Sequence, residues 1–62
     1  MSWYSIVCDN GPYDQSVYLD GKVTKQEAER FFDIAVKYEP YKTISLFKGK
    51  NIGRLIKTTT KP

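Results

Sequence analysis

Two hydrophobic, strand-forming segments separated by a run of polar turn formers predict a β-hairpin in the first third of the chain. Residues 3–8 are mostly aromatic or β-branched, a composition typical of strands. The Asp-Asn-Gly-Pro run that follows consists of turn formers and ends this strand. Residues 16–20 predict the returning strand. Tyr18 is expected to face outward if its two aliphatic neighbours, Val17 and Leu19, face the core.

The pattern changes to a helical period at about residue 24. Thr24 and Glu27 predict a capping box, in which the threonine hydroxyl accepts the Glu27 amide and the carboxylate accepts the Thr24 amide. Pro40 disfavours helical geometry at Glu39 and therefore ends the helix. The apolar residues that recur at helical spacing are Ala28, Phe31, Phe32, Ala35 and Tyr38, with Ile34 and Val36 widening the stripe. Because this helix is apolar on one side, we expect it to lie on a sheet.

A second hairpin is predicted after the helix. Residues 42–48 alternate as a strand does, and Gly49 with Lys50 predicts a two-residue turn into a fourth strand. This turn fixes a register in which Phe47 pairs with Ile52. In that register the residues expected to face the helix are Ile44, Leu46 and Leu55, and those expected on the opposite face are Phe47, Ile52, Arg54 and Ile56. Residues 58–62 are expected to form a flexible tail.

The order of these elements predicts a single α+β domain over residues 1–62, a ββαββ chain with one helix packed on a four-stranded sheet. Its element lengths resemble the β-grasp arrangement of immunoglobulin-binding protein G domains, which implies that the two terminal strands pair in parallel at the centre of the sheet. The alternative is a fully antiparallel sheet with the third strand beside the first. In both arrangements one helix covers only one face of the sheet, so we expect the other face to be open.

Residue types restrict the chemistry that the chain can support. It has no histidine and a single cysteine, Cys8, which argues against a zinc site and against a Ser-His or Cys-His nucleophile. Glu29 and Asp33 are one helical turn apart, but they lie on the polar side of the helix, where solvated carboxylates are ordinary. We therefore expect no catalytic residue, no metal, no cofactor and no enzymatic activity. Cys8 is expected to be a buried hydrophobic residue.

Charge is distributed unevenly along the chain. Residues 1–39 hold seven acidic and four basic side chains (net −3), whereas residues 40–62 hold six basic side chains and no acid. The basic hairpin, with Phe47 able to stack, is a candidate nucleic-acid surface, because two-stranded ribbons fit the major groove. Its candidate contacts are Lys42, Lys48, Lys50, Arg54 and Lys57. The alternative is that these side chains protect an edge strand and keep the chain soluble.

The expected open sheet face is a different candidate. Aromatic and aliphatic residues around a central arginine have the composition of a protein-binding hot spot. The candidate partner-binding residues are Phe47, Ile52, Arg54, Ile56 and Tyr18. Two alternatives remain open: these side chains form only cross-strand pairs that stiffen the sheet, or a second copy of the chain covers them in a homodimer.

Residues 24–31, 41–50 and 52–57 place a capped helix before a lysine-flanked hairpin. This arrangement resembles the very short accessory proteins of tailed bacteriophages. The resemblance implies a protein that binds a host protein and inhibits or modulates it, with a small nucleic-acid-binding domain as the alternative function. Residues 1–4 lack the basic segment and the long apolar run of a signal peptide, so we expect none, and no apolar stretch has the length needed to cross a bilayer. We therefore expect a cytoplasmic location, the host cytoplasm for a phage protein, and no membrane partner.

Overall fold

The computed structural model describes residues 1–51 and 53–61 and contains the predicted ββαββ order. Its elements are β1 (Ser2–Asp9), β2 (Gln15–Val23), α1 (Lys25–Tyr38), β3 (Thr43–Lys48) and β4 (Arg54–Thr60). The strands form one antiparallel sheet in the order β2-β1-β3-β4, and α1 packs on one of its faces. The α+β prediction is confirmed.

The strand order selects the antiparallel alternative and excludes the β-grasp arrangement. β1 pairs with β3 in antiparallel register, with Ile6 opposite Leu46 and Cys8 opposite Ile44. These two strands carry the most apolar helix-facing residues, so their pairing buries those residues together at the centre of the sheet. The polar strand β4 lies at the edge, where charged and hydroxyl side chains are tolerated.

Helix α1 begins and ends where the sequence predicts. The Thr24 hydroxyl accepts the Glu27 N–H at 3.1 Å, and the Glu27 carboxylate accepts the Thr24 N–H at 2.9 Å. Glu39 is extended before Pro40, and its N–H donates to the Ala35 carbonyl. The buried stripe is narrower than predicted: Ala28, Phe32 and Ala35 are buried, whereas Phe31, Ile34 and Tyr38 are exposed.

Replacing Thr24 by alanine is expected to destabilise the fold by about 1 kcal/mol, because the Glu27 N–H loses its acceptor. The hydrogen bond from the Thr24 backbone lowers the pKa of Glu27. The charged carboxylate is therefore favoured in the folded state, and its contribution, present above the unfolded pKa, is lost as the pH falls through the folded pKa. Urea unfolding at pH 7 and at acidic pH measures both effects, with Thr24→Ser as the control that keeps the hydroxyl. Equal stability of Thr24→Ala and the parent protein at pH 7 would contradict the prediction.

The core lies between α1 and the helix-facing residues of β1 and β3. Its largest fully buried side chains are Ile6, Ile44, Leu46 and Cys8. The expectation that Cys8 is buried is confirmed, and burial raises the pKa of its thiol. Cys8 therefore belongs to the packing of the core and stays in its neutral form.

A bulge in β2 reverses the predicted orientation of Tyr18. Ile6 pairs with Leu19 and Val7 pairs with Val17, so Tyr18 is the extra residue. Tyr18 and Leu19 both pack against the core, whereas Val17 is 59% exposed. The prediction that Tyr18 faces outward is wrong, because a strict two-residue alternation does not hold across a bulge.

The predicted turn of the second hairpin is also wrong. Lys48 pairs with Arg54 and Phe47 with Leu55, so the connection between β3 and β4 is longer than a two-residue turn. Gly49 and Asn51 adopt positive φ angles of 115° and 56° in this connection. Phe47 therefore pairs with Leu55 instead of the predicted Ile52, a shift of three residues along the fourth strand. A shift by an odd number of residues moves side chains of that strand to the opposite face of the sheet.

The exchange places Leu55, rather than Arg54, on the face away from α1. A second bulge lies in β4, between the pairs formed by Phe47 and by Leu46.

Thr58–Thr60 continue β4, and the Lys61 N–H donates to the Lys42 carbonyl at 2.7 Å. The chain therefore does not become a tail at residue 58.

Candidate binding surface on the open sheet face

The sheet face away from α1, called the open face below, is built from rows of residues that run across all four strands. The central row consists of Asp20, Ser5, Phe47 and Leu55, one from each strand in spatial order. The neighbouring row consists of Val17, Val7, Ser45 and Thr58. Leu55 is 51% exposed, and Val17 is more exposed still. The open face therefore presents apolar side chains that the helix does not cover.

A concave site of about 370 Å³ lies on this face. Its lining residues are Trp3, Ser5, Val7, Val17, Asp20, Lys50 and Asn51, and we call it the Trp3 cavity. Five of the seven residues come from β1 and β2, and two come from the connection between β3 and β4. Its volume falls within the range of about 300–1,000 Å³ typical of ligand sites.

A carboxylate is held in a fixed position in the wall of the Trp3 cavity. Asp20 Oδ1 accepts the Trp3 indole N–H at 2.7 Å and the Ser5 hydroxyl at 3.2 Å. Ser5 is 2% exposed, so its hydroxyl needs this acceptor. Both donors bind the same oxygen, which orients the carboxylate and leaves its second oxygen unused by them.

The connection between β3 and β4 closes one side of the Trp3 cavity. The Gly49 N–H donates to the Trp3 carbonyl at 2.7 Å, which ties this connection to the start of β1. Lys50 follows directly, and its Nζ lies 5.1 Å from the centroid of the Trp3 ring. This distance is within the range of a cation–π interaction.

The partner-binding residues expected from the sequence do not come together on one face. Phe47 lies on the open face, as predicted. Arg54 and Ile56 instead line a groove of about 160 Å³ on the helix side, together with Lys25 and Glu29 of α1. Tyr18 packs against the core, and Ile52 lies outside the described residues. The prediction that these residues form one patch around Arg54 is therefore wrong.

The basic residues of the second hairpin are divided between different parts of the fold. Lys48 and Arg54 line the helix-side groove, whereas Lys50 lies over Trp3 on the open face. Lys57 points to the helix side, with its Nζ 4.7 Å from the centroid of the Phe32 ring. Lys42 precedes β3 at the opposite end of the strand from Lys48. These five side chains do not form the continuous basic ribbon that the nucleic-acid hypothesis requires.

Sequence reasoning missed Asp20 and Val17 as site residues. The outward position of Val17 follows from the bulge at Tyr18, which no residue type in β2 indicates. Asp20 faces outward by alternation with Leu19, but its place opposite Ser5 depends on the register of β2. A partial signal existed for Trp3, because alternation in β1 requires either Trp3 or Tyr4 to face away from the helix. The structure assigns Tyr4 to the core and Trp3 to the open face.

A second exposed apolar surface runs along α1. Phe31, Ile34 and Tyr38 are 36%, 42% and 69% exposed and lie on one side of the helix, at spacings of three and four residues. Lys37 Nζ lies 5.4 Å from the centroid of the Tyr38 ring. These three residues, called the helix ridge, do not line the Trp3 cavity, so the helix ridge is a reference surface against which the open face can be compared.

Within residues 1–51 and 53–61, no group of three or more His, Cys, Asp or Glu side chains could hold a metal ion, and no helix is long and apolar enough to cross a membrane. Comparison of the chain with protein-family models, with curated proteins and with solved structures found no match in any of the three.

Proposed function

We propose that the chain is a phage-type accessory protein that binds a host protein through the open face and inhibits or modulates it in the host cytoplasm. The observation that carries the proposal is the Trp3 cavity, on a sheet face that α1 does not cover. The phage-type role rests on the resemblance of the capped helix and lysine-flanked hairpin stated above. The protein acts by binding, without chemistry of its own.

The composition of the open face favours a protein over a nucleic acid as the partner. Val17 lines the Trp3 cavity beside the tryptophan, and Phe47 and Leu55 lie on the same sheet face. Aromatic residues in partly enclosed positions dominate the energetics of protein interfaces. A nucleic acid would instead require a continuous set of phosphate contacts, and the basic side chains are divided between two faces.

The test compares three variants that each add one positive charge. Val17→Lys and Leu55→Lys change exposed residues of the open face, and Ile34→Lys changes an exposed residue of the helix ridge. The parent protein is immobilised, a nuclease-treated bacterial lysate is passed over it, and a retained protein is identified by mass spectrometry and purified. Its affinity for the parent protein and for each variant is then measured by calorimetry.

The two open-face variants are expected to weaken binding about thirtyfold, the effect of losing one hot-spot contact of about 2 kcal/mol. Ile34→Lys is expected to bind like the parent protein. Circular dichroism verifies that all three variants are folded. The proposal is overturned if no protein is retained, if retention follows nucleic acid, or if Ile34→Lys weakens binding as much as the open-face variants do.

A further inference from the structure

We infer that the Trp3 cavity receives a lysine side chain of the protein partner, with the ammonium group held between the Trp3 ring and the Asp20 carboxylate. The inference rests on the proposed function, because it specifies the chemistry that the partner presents to the open face. Its basis is the arrangement of one aromatic ring, one oriented carboxylate and two valines around a single cavity.

The first observation is that the ammonium group of Lys50 already lies over the Trp3 ring. Lys50 Nζ lies 5.1 Å from the ring centroid, within the distance at which the ring quadrupole attracts a cation. Lys50 comes from the connection between β3 and β4 and lines the same cavity. The chain therefore places its own lysine in the position that we assign to the lysine of the partner.

The second observation is the state of the Asp20 carboxylate. Trp3 and Ser5 both donate to Oδ1, and these two hydrogen bonds fix the orientation of the carboxylate. Neither donor uses its other oxygen, Oδ2. An ammonium group is a point charge with three rotatable donors, and it needs only one acceptor oxygen in a given direction. A guanidinium group binds a carboxylate best through two oxygens, and Oδ1 already accepts two hydrogen bonds. The site therefore suits lysine better than arginine.

The third observation is the apolar wall. Val7 and Val17 line the cavity beside the polar pair, and lysine buries its methylene groups along apolar surface while its ammonium group stays in a polar environment. A small hydrated cation would leave this wall without a contact. A lysine side chain uses the ring, the carboxylate and both valines.

An anion is the competing occupant, because Lys22 pairs with Trp3 across the sheet and Lys50 overhangs the cavity. An anion would approach the Asp20 carboxylate and would need Lys50 as its contact. A lysine from a partner must instead displace Lys50 from the ring. Removal of Lys50 is therefore expected to strengthen binding of a lysine and to weaken binding of an anion. The direction of the change in affinity distinguishes the two occupants.

The experiment uses small probes and the one tryptophan of the chain. Nα-acetyl-lysine methylamide is titrated into the ¹⁵N-labelled protein, and the Trp3 indole N–H resonance is followed by NMR. The same peptide with its side-chain amine acetylated is the neutral control, and the arginine analogue and inorganic phosphate are separate arms. A single side chain is expected to bind with a Kd in the millimolar range, on the order of 4 kcal/mol.

Lys50→Gln is expected to tighten binding of the lysine probe about threefold, because the site is no longer partly occupied by the side chain of the protein itself. Lys42→Gln, which removes the same charge at the far end of β3, is expected to leave the affinity unchanged. Asp20→Asn is expected to weaken binding about fivefold through loss of a charge-assisted contact, while its amide oxygen still accepts from Trp3 and Ser5.

The inference is overturned if the acetylated control binds as well as the lysine probe, if the arginine analogue binds more tightly, if Lys50→Gln weakens binding, or if phosphate shifts the indole resonance in a Lys50-dependent way. Its failure is distinguishable from failure of the proposed function. If the lysine probe does not bind but Val17→Lys and Leu55→Lys still weaken binding of the retained host protein, the proposed function stands and only the lysine chemistry is wrong.

Discussion

Replacing Leu46 by alanine is expected to remove most of the stability of the fold. Leu46 is 1% exposed and packs in the core with Phe32 and Ile44. A buried Leu→Ala substitution costs about 2.7–5 kcal/mol, because the side chain leaves a cavity that relaxes only partially. A domain of this length has roughly 3–9 kcal/mol in total at about 0.05–0.15 kcal/mol per residue. Urea unfolding followed by circular dichroism and Trp3 fluorescence should therefore show a variant that is largely unfolded or close to its midpoint without denaturant.

Leu55→Ala is the matched control, since it makes the same chemical change on the open face. Leu55 is 51% exposed, so its truncation is expected to cost less than about 1 kcal/mol. The comparison also tests the hairpin register, because a two-residue turn at Gly49 and Lys50 would place Leu55 beneath α1. Similar losses for Leu46→Ala and Leu55→Ala would show that Leu55 is buried beneath α1 and that the pairing of Phe47 with Leu55 is wrong.

The elements that could be predicted from sequence are those whose boundaries depend on local chemistry. Thr24 and Glu27 satisfy each other within one helical turn, and Pro40 forces Glu39 out of helical geometry. Neither effect depends on the rest of the fold, so the bounds of α1 follow from neighbouring residues. The burial of Cys8 could also be predicted, because a free cysteine in a strand rich in aromatic and β-branched residues usually behaves as a small hydrophobic residue.

The residues whose orientation was predicted incorrectly lie in the edge strands. β2 and β4 each contain a bulge, at Tyr18 and at Ile56, on opposite sides of the row that includes the central pair Ile6 and Leu46. A bulge inserts one residue into a strand and exchanges inside for outside beyond it. Its position depends on how the edge strand fits the curvature of its neighbour, which is a property of the assembled sheet. Tyr18 and Ile56 therefore could not be assigned to a face from alternation alone.

The candidate site was predictable only in its general position. One helix covers one face of a sheet, so an open face with Phe47 on it was expected. The Trp3 cavity, however, requires Asp20 to lie beside Ser5, and this pairing depends on the register of β2. It also requires the connection between β3 and β4 to be long enough to bring Lys50 over the Trp3 ring. Both conditions involve residues that are distant in sequence, so no local pattern indicates the cavity.

Replacing Gly53 by alanine is the second substitution with a large expected effect. A Cβ atom at this position would clash with the Lys48 carbonyl oxygen and would lie 3.0 Å from the Gly49 Cα. Both neighbours are backbone atoms, so the clash cannot be relieved by a side-chain rotation, and the connection between β3 and β4 must shift. We expect a loss of about 1–3 kcal/mol, comparable to overpacking a core, together with weaker pairing of Lys48 with Arg54. Urea unfolding measures the loss, and amide hydrogen exchange of β4 measures the pairing.

Gly21→Ala is the control, because a Cβ atom on Gly21 meets no atom within 4 Å and the residue lies in the other edge strand. It is expected to be neutral or to stabilise the fold by about 0.4–1 kcal/mol through the lower entropy of the unfolded chain. Gly53→Ala is also expected to move the Trp3 indole resonance, since the connection that carries Lys50 is tied to the Trp3 carbonyl. If Gly53→Ala left stability, β4 exchange and the indole resonance unchanged, the connection would not have the close backbone packing on which the Trp3 cavity depends.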